Sequence, residues 1–101
     1  MTQITPADSV IGGVDTHKHT HYACVVDMNG RLLGHREFPA NDRGYAALLA
    51  WAQGHGRLEA IGVESTGSFG ATLTRFLTGQ GVRVVEANHL NRQARRTDGK
   101  S

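Results

Sequence analysis

The sequence predicts an α/β domain on a mixed five-stranded sheet, three antiparallel strands followed by helix, strand, helix and strand. Three observations carry that expectation. Val10 to Asp15 (VIGGVD) and Leu58 to Glu64 (LEAIGVE) are apolar runs of strand length that each stop on a carboxylate. Asn29-Gly30 sits between two extended-pattern segments, the strongest short-range signal for a hairpin. Downstream, two segments repeat their apolar residues at helical spacing.

Residues 1–9 hold Pro6 and no periodicity, which predicts a flexible N-terminus. The first strand then runs from about Val10 to Thr16. Glycine weakens a strand unless something approaches the backbone closely, so Gly12 and Gly13 imply a tightly packed neighbour or a ligand. The second strand, about His21 to Asp27, and the third, about Arg31 to Phe38, pair antiparallel through the Asn29-Gly30 turn. The short Thr16 to Thr20 link reverses the first strand into the second. Strands one and three therefore point the same way.

After Pro39, Asn41 and Asp42 offer N-caps, and Tyr45, Leu48, Leu49 and Ala52 form one helical stripe, giving a helix from about Asp42 to Gln53. Trp51 falls off that stripe and reads as a partly buried edge residue, with base stacking as the functional alternative. The fourth strand, Leu58 to Glu64, follows by a crossover and so runs parallel to strands one and three. Ser65-Thr66-Gly67-Ser68 supplies cap chemistry for a second helix, about Ser68 to Thr78, striped by Phe69, Leu73, Phe76 and Leu77 and ended by Gly79 and Gly81. Val82 to Glu86 or Ala87 is the last strand, of the buried parallel kind. That order is the one a ribonuclease H-like sheet requires, with strand one central and strand four beside it.

A chain of 101 residues has material for one core. Its charged fraction of 20% is not that of a disordered polymer. No apolar run approaches the roughly 18–20 residues of a membrane helix, and the polar start lacks a signal-peptide pattern, so the expected location is the cytoplasm and no membrane partner is expected. The single Cys24 has no intrachain disulfide partner and reads as a small core hydrophobe. A net charge of +2 is too mild to announce nucleic acid by itself. Its distribution says more: Arg92, Arg95, Arg96 and Lys100 crowd a basic C-terminal segment, residues 88–101, that can meet phosphates or simply be solvated.

If strands one and four are parallel neighbours, Asp15 and Glu64 meet at one end of the sheet. Two adjacent carboxylates are best explained by a cation between them, and Mg²⁺ (or Mn²⁺) suits hard oxygen ligands, retained waters and substrate phosphates. Phosphodiester cleavage or transfer is the matching chemistry. The alternative is that both acids merely cap strand ends. His17, His19 and His21 alternate and, with Asp15, raise a zinc alternative, although no CxxC or HExxH accompanies them. Lys18, beside the acids, reads either as a phosphate contact or as an ordinary exposed turn lysine. The Ser65-Thr66 hydroxyls at a helix N-terminus face the same edge, where capping explains them equally well.

The segments GVDTHKHTHYACVVDMNG, GVESTGSFGATLTRFLTGQGVRVVEAN and RRTDGKS resemble the RuvC-like N-terminal catalytic domain of the bridge-RNA-guided insertion-sequence transposases, the one-ten family with its DEDD acid set. The likeness runs from Val10 to Ser101, with residues 10–87 as the RuvC-like domain. It implies that Asp15 and Glu64 are the first two acids and Mg²⁺ ligands, and that His17, Lys18 and His21 belong to the segment after the first. His19 departs from the polar, often acidic residue expected at its position. The resemblance places the last two acids after a Lys-Ser step, here Lys100-Ser101, and Asp98 precedes that step. On this reading the chain is a fragment, inactive alone, of a protein whose partners are DNA, a guide RNA and further copies of itself. Rival readings are a stand-alone resolvase or nuclease, a piece of an actin-like sugar kinase, and a non-enzymatic histidine metal-binding module.

Overall fold

The computed structural model describes residues 8–64 and 68–86. Its elements are β1 (Ser9–Thr16), β2 (Thr20–Asp27), β3 (Leu32–Pro39), α1 (Asp42–Gln53), β4 (Arg57–Glu64), α2 (Phe69–Gly79) and β5 (Val84–Glu86). They form one five-stranded sheet in the order β3-β2-β1-β4-β5. β1 pairs antiparallel with β2 and parallel with β4, and β5 is parallel to β4. The expected mixed sheet is the observed one, with β1 in the centre.

The hairpin turns as its residues dictate. Gly30 takes φ +86°, and the Asp27 carboxylate accepts from the amides of Asn29 and Arg31, both at 2.9 Å. Asn29 itself stays at negative φ, so four residues link the strands and β3 begins at Leu32, one later than the sequence pattern places it.

Helix α1 starts where Asn41 Oδ1 accepts from the Gly44 amide at 2.8 Å. α2 begins at Phe69, and the Ser68 hydroxyl makes no capping bond; Ser65, Thr66 and Gly67, the rest of the expected capping segment, lie outside the described residues. The expected stripe of α2 also splits: Leu73 and Leu77 are fully buried, while Phe69 is 40% exposed. β5 is shorter than expected because Gly81, at φ +83°, and the bond from the Val82 amide to Leu77 O (3.0 Å) use those residues to end α2.

Both helices cover one face of the sheet. Tyr45, Leu48 and Leu49 of α1 and Leu73 and Leu77 of α2 pack on Val14, Ala23, Phe38, Ile61 and Val63. Trp51 is half-buried against Phe38, ring centres 5.5 Å apart, as an edge residue. Gly12 and Gly13 follow the structural explanation: a Cβ on Gly12 would sit 3.1 Å from Ile61 Cγ1, and one on Gly13 would sit 3.3 Å from Cys24 Sγ. Among the described residues nothing covers the opposite face, which is lined by Ile11, Gly13, Tyr22, Cys24, Ala60, Gly62 and Val85. No described helix is long and apolar enough to cross a membrane.

Candidate functional site

Asp15 and Glu64 are brought together by a change of register within β4. Val10 pairs with Leu58 but Ile11 pairs with Ala60, so Glu59 is passed over and every later β4 residue moves up by one. Without that bulge the partner of Asp15 would be Val63, and Glu64 would lie one step beyond it. With it, Asp15 and Glu64 are register partners on adjacent parallel strands. Their side chains then emerge on the same, uncovered face, because partners in register share the pleat direction. Both line one cavity of about 540 Å³.

The bulge is fastened at the other end of the sheet. Buried Ser9 donates to Glu59 Oε2 at 2.6 Å, Arg57 Nε donates to the same oxygen at 3.0 Å, and Arg57 Nη2 donates to Ser9 Oγ at 3.1 Å. The Ser9 hydroxyl, then the Arg57 guanidinium, hold the Glu59 carboxyl below its ordinary pKa of 4.5. At the acid end, Thr16 Oγ1 donates to the Glu64 carbonyl at 3.1 Å, tying β1 to the end of β4.

The segment after Asp15 divides its residues among different tasks. His17 Nε2 lies 3.2 Å from Asp15 Oδ2, both side chains more than half exposed. Lys18 and His19 are exposed in the β1–β2 link. His21 is 1% exposed and turned to the helix side, where its ring stacks on Tyr45 with centroids 5.7 Å apart. Its Nδ1 bonds the Thr20 carbonyl at 3.1 Å, and its buried Nε2 has no partner among the described residues. Desolvation lowers its pKa below 6.5, against the Thr20 carbonyl, with the charge of His17 a smaller lowering influence. His21 is thus a core residue and does not share the acids' cavity. The alternating histidines do not converge, since the chain turns between His17 and His21; among the described residues no three of His, Cys, Asp or Glu are grouped to hold a metal ion. Ser65 and Thr66 lie outside the described residues, as do Arg92, Arg95, Arg96, Asp98 and Lys100.

Two features of the site had no sequence signal strong enough to find them. One is the Ser9–Arg57–Glu59 cluster, which needs the β1–β4 pairing. The other is Tyr22, the β2 partner of Asp15, whose hydroxyl hydrogen-bonds His35 Nδ1 across the hairpin. The β3 register partner of Tyr22 is Glu37, and Tyr22 reaches His35, the partner of Cys24, on the diagonal, a contact set by the β2–β3 register.

A sheet of this order, with acids ending two adjacent parallel strands, defines the ribonuclease H-like class of α/β domains. Residues 12–101 match the family model described as a transposase, DEDD_Tnp_IS110, and the chain belongs to that IS110-type DEDD transposase family. No curated protein matches its sequence significantly. The chain is also similar to a crystal structure from Bacteroides thetaiotaomicron described as having an actin-like ATPase fold and unknown function. The TM-score is 0.57 at 20% identity, over 83% of this chain and 37% of that one. That likeness concerns the fold alone.

Proposed function

We propose that this chain is the RuvC-like part of a DNA transposase, and that Asp15 and Glu64 jointly hold a divalent cation, Mg²⁺ or Mn²⁺, for DNA strand cleavage and transfer. One observation carries the reading: the two carboxylates are register partners on parallel strands and open into one cavity. Like charges placed directly opposite on neighbouring strands destabilise a sheet, so the arrangement favours a cation. The donor set fits, because hard oxygens partly open to water are what Mg²⁺ takes, completing its shell with waters and substrate phosphate.

When bound, such an ion supplies charge neutralisation at a phosphodiester and activation of the attacking oxygen. The chain's own residues do the rest. Asp15 and Glu64 fix the position at which a phosphate is received, and Thr16 holds the backbone of Glu64 in place. His17 orients the Asp15 carboxylate. Exposed Lys18 offers a phosphate contact, and Arg92, Arg95, Arg96 and Lys100, outside the described residues, add positive charge of the kind that DNA phosphates attract. A guide RNA and self-association complete the reading on family grounds.

Titration with Mn²⁺, followed by calorimetry, tests it. Loss of groups that merely support metal ligands costs about 10–100-fold in affinity, so Asp15→Asn and Glu64→Gln should each weaken binding at least about tenfold. Equal affinity in either variant refutes the site. His19→Ala should change nothing, and Zn²⁺ binding that depended on His19 would favour the histidine-module alternative. With two ligands contributed by the described residues, the chain is expected to bind the ion without cutting DNA. Mg²⁺-dependent cleavage by the 101-residue chain, lost on Asp15→Ala, would contradict that.

A further inference from the structure

We infer that Tyr22 is a stacking platform for an unpaired base of single-stranded DNA next to the phosphate received by Asp15 and Glu64; this rests on the metal-site reading above. Tyr22 is 45% exposed. It stands on the uncovered face, lines the same cavity as Asp15 and Glu64, and is the direct antiparallel partner of Asp15. Side chains opposite one another on antiparallel strands lie about 5 Å apart at Cβ. A nucleotide whose phosphate lay at a cation bound by the two acids would therefore have the Tyr22 ring within reach of its base.

The polar tip of the ring is also accounted for. Its hydroxyl hydrogen-bonds His35 Nδ1, and the two rings are 5.6 Å apart with a 45° tilt. The polar tip is thereby satisfied on the β3 side, while the ring remains open towards the cavity. Beside it the floor is small and apolar, formed by Gly13, Cys24, Ala60 and Gly62, and leaves room for a flat ring. Stacking is tolerant of base identity because every base has a π-face, so the platform implies little sequence preference. It does imply strandedness, since a base within a duplex is already stacked on its neighbours.

The test uses the whole chain with Mn²⁺ present and a short single-stranded oligonucleotide carrying 2-aminopurine, whose fluorescence is quenched when it stacks. Alanine substitution of a stacking aromatic costs about 1–3 kcal/mol per base, or about 5–150-fold in affinity. Tyr22→Ala should weaken binding on that scale and abolish the quenching. Tyr22→Phe should keep both within about twofold. Mn²⁺ affinity should be unchanged in both, which separates this inference from the metal site. A Tyr22→Ala chain that binds Mn²⁺ and still quenches the probe overturns the platform while leaving the metal site standing. Wild-type chain that binds Mn²⁺ but no single strand, or that binds a duplex as well as a single strand, also overturns it. Absence of Mn²⁺ binding in the wild type removes the metal reading and the platform with it. Circular dichroism of Tyr22→Ala guards against unfolding, and should that variant fail to fold, Tyr22→Leu, which keeps apolar bulk without a π-face, should lose the quenching, whereas retained quenching in it overturns the platform.

Discussion

Deleting Glu59 should leave the acid pair intact, whereas deleting Gly62, three residues further along the same strand, should destroy it. In β4, Glu59 is the residue the pairing passes over. Its removal lets Leu58 and Ala60 succeed one another opposite Val10 and Ile11, with Asp15 still facing Glu64. The deletion removes an exposed carboxylate and its bond from Ser9, whose hydroxyl keeps Arg57 as a partner at 3.1 Å. Removing Gly62 shifts only the residues C-terminal to it. Val63, 3% exposed, would turn to the open face, and Glu64 would turn towards the helices. Re-exposing the valine costs about 1.5–3 kcal/mol. Burying an unpaired carboxylate adds several kcal/mol more. The sum is comparable with the whole stability of a domain this size, about 5–15 kcal/mol. Thermal melts paired with Mn²⁺ titration read both effects: the Glu59 deletion should fold and bind near wild-type affinity, and the Gly62 deletion should lose both. A folded Glu59 deletion that no longer bound Mn²⁺ would refute the bulge as the device that aligns the acids, as would a Gly62 deletion that bound normally.

Gly44→Ala should destabilise although alanine is the better helix former by about 1 kcal/mol, because its Cβ would fall 1.8 Å from the Pro39 carbonyl oxygen, a backbone atom that has no rotamer to change. A net loss of about 2 kcal/mol or more in urea denaturation is expected, whereas Gly79→Ala, with nothing within 4 Å, should gain up to about 1 kcal/mol. His21, lowered below 6.5 by burial, binds its proton less readily folded than unfolded. Its contribution to stability is therefore full above pH 6.5 and is lost as pH falls through the lowered folded value. His21→Phe, which retains a ring against Tyr45, should flatten the urea midpoint between pH 7.5 and 5, roughly the range in which an ordinary histidine titrates. Finally, Mg²⁺ at ten times its dissociation constant should stabilise the wild type by about 1.4 kcal/mol and Asp15→Asn hardly at all, read as a shift in melting temperature.

Much of the architecture was legible because it is local. Helix α1 runs from Asp42 to Gln53 as its stripe dictates, and the Asn29-Gly30 turn arises from a pattern within a few residues, while the central place of β1 follows from the order of the elements along the chain. The errors fall where a neighbour decides. Val82 was apolar enough for a strand, but its amide ends α2 instead. Ser68 had the right side chain for a cap and does not use it. The three histidines alternate along the chain, yet the turn between β1 and β2 sends His21 into the core and leaves His17 beside Asp15.

The sequence by itself determined which residues can bear charge at strand ends, because a strand that stops on a carboxylate must leave it at the sheet's rim. Only the tertiary structure decided that Asp15 and Glu64 stand opposite one another. Side chains alternate with a period of two along a strand, so a slip of one residue reverses every face, and the slip in β4 is set by Ser9, Arg57 and Glu59 at the far end of the sheet.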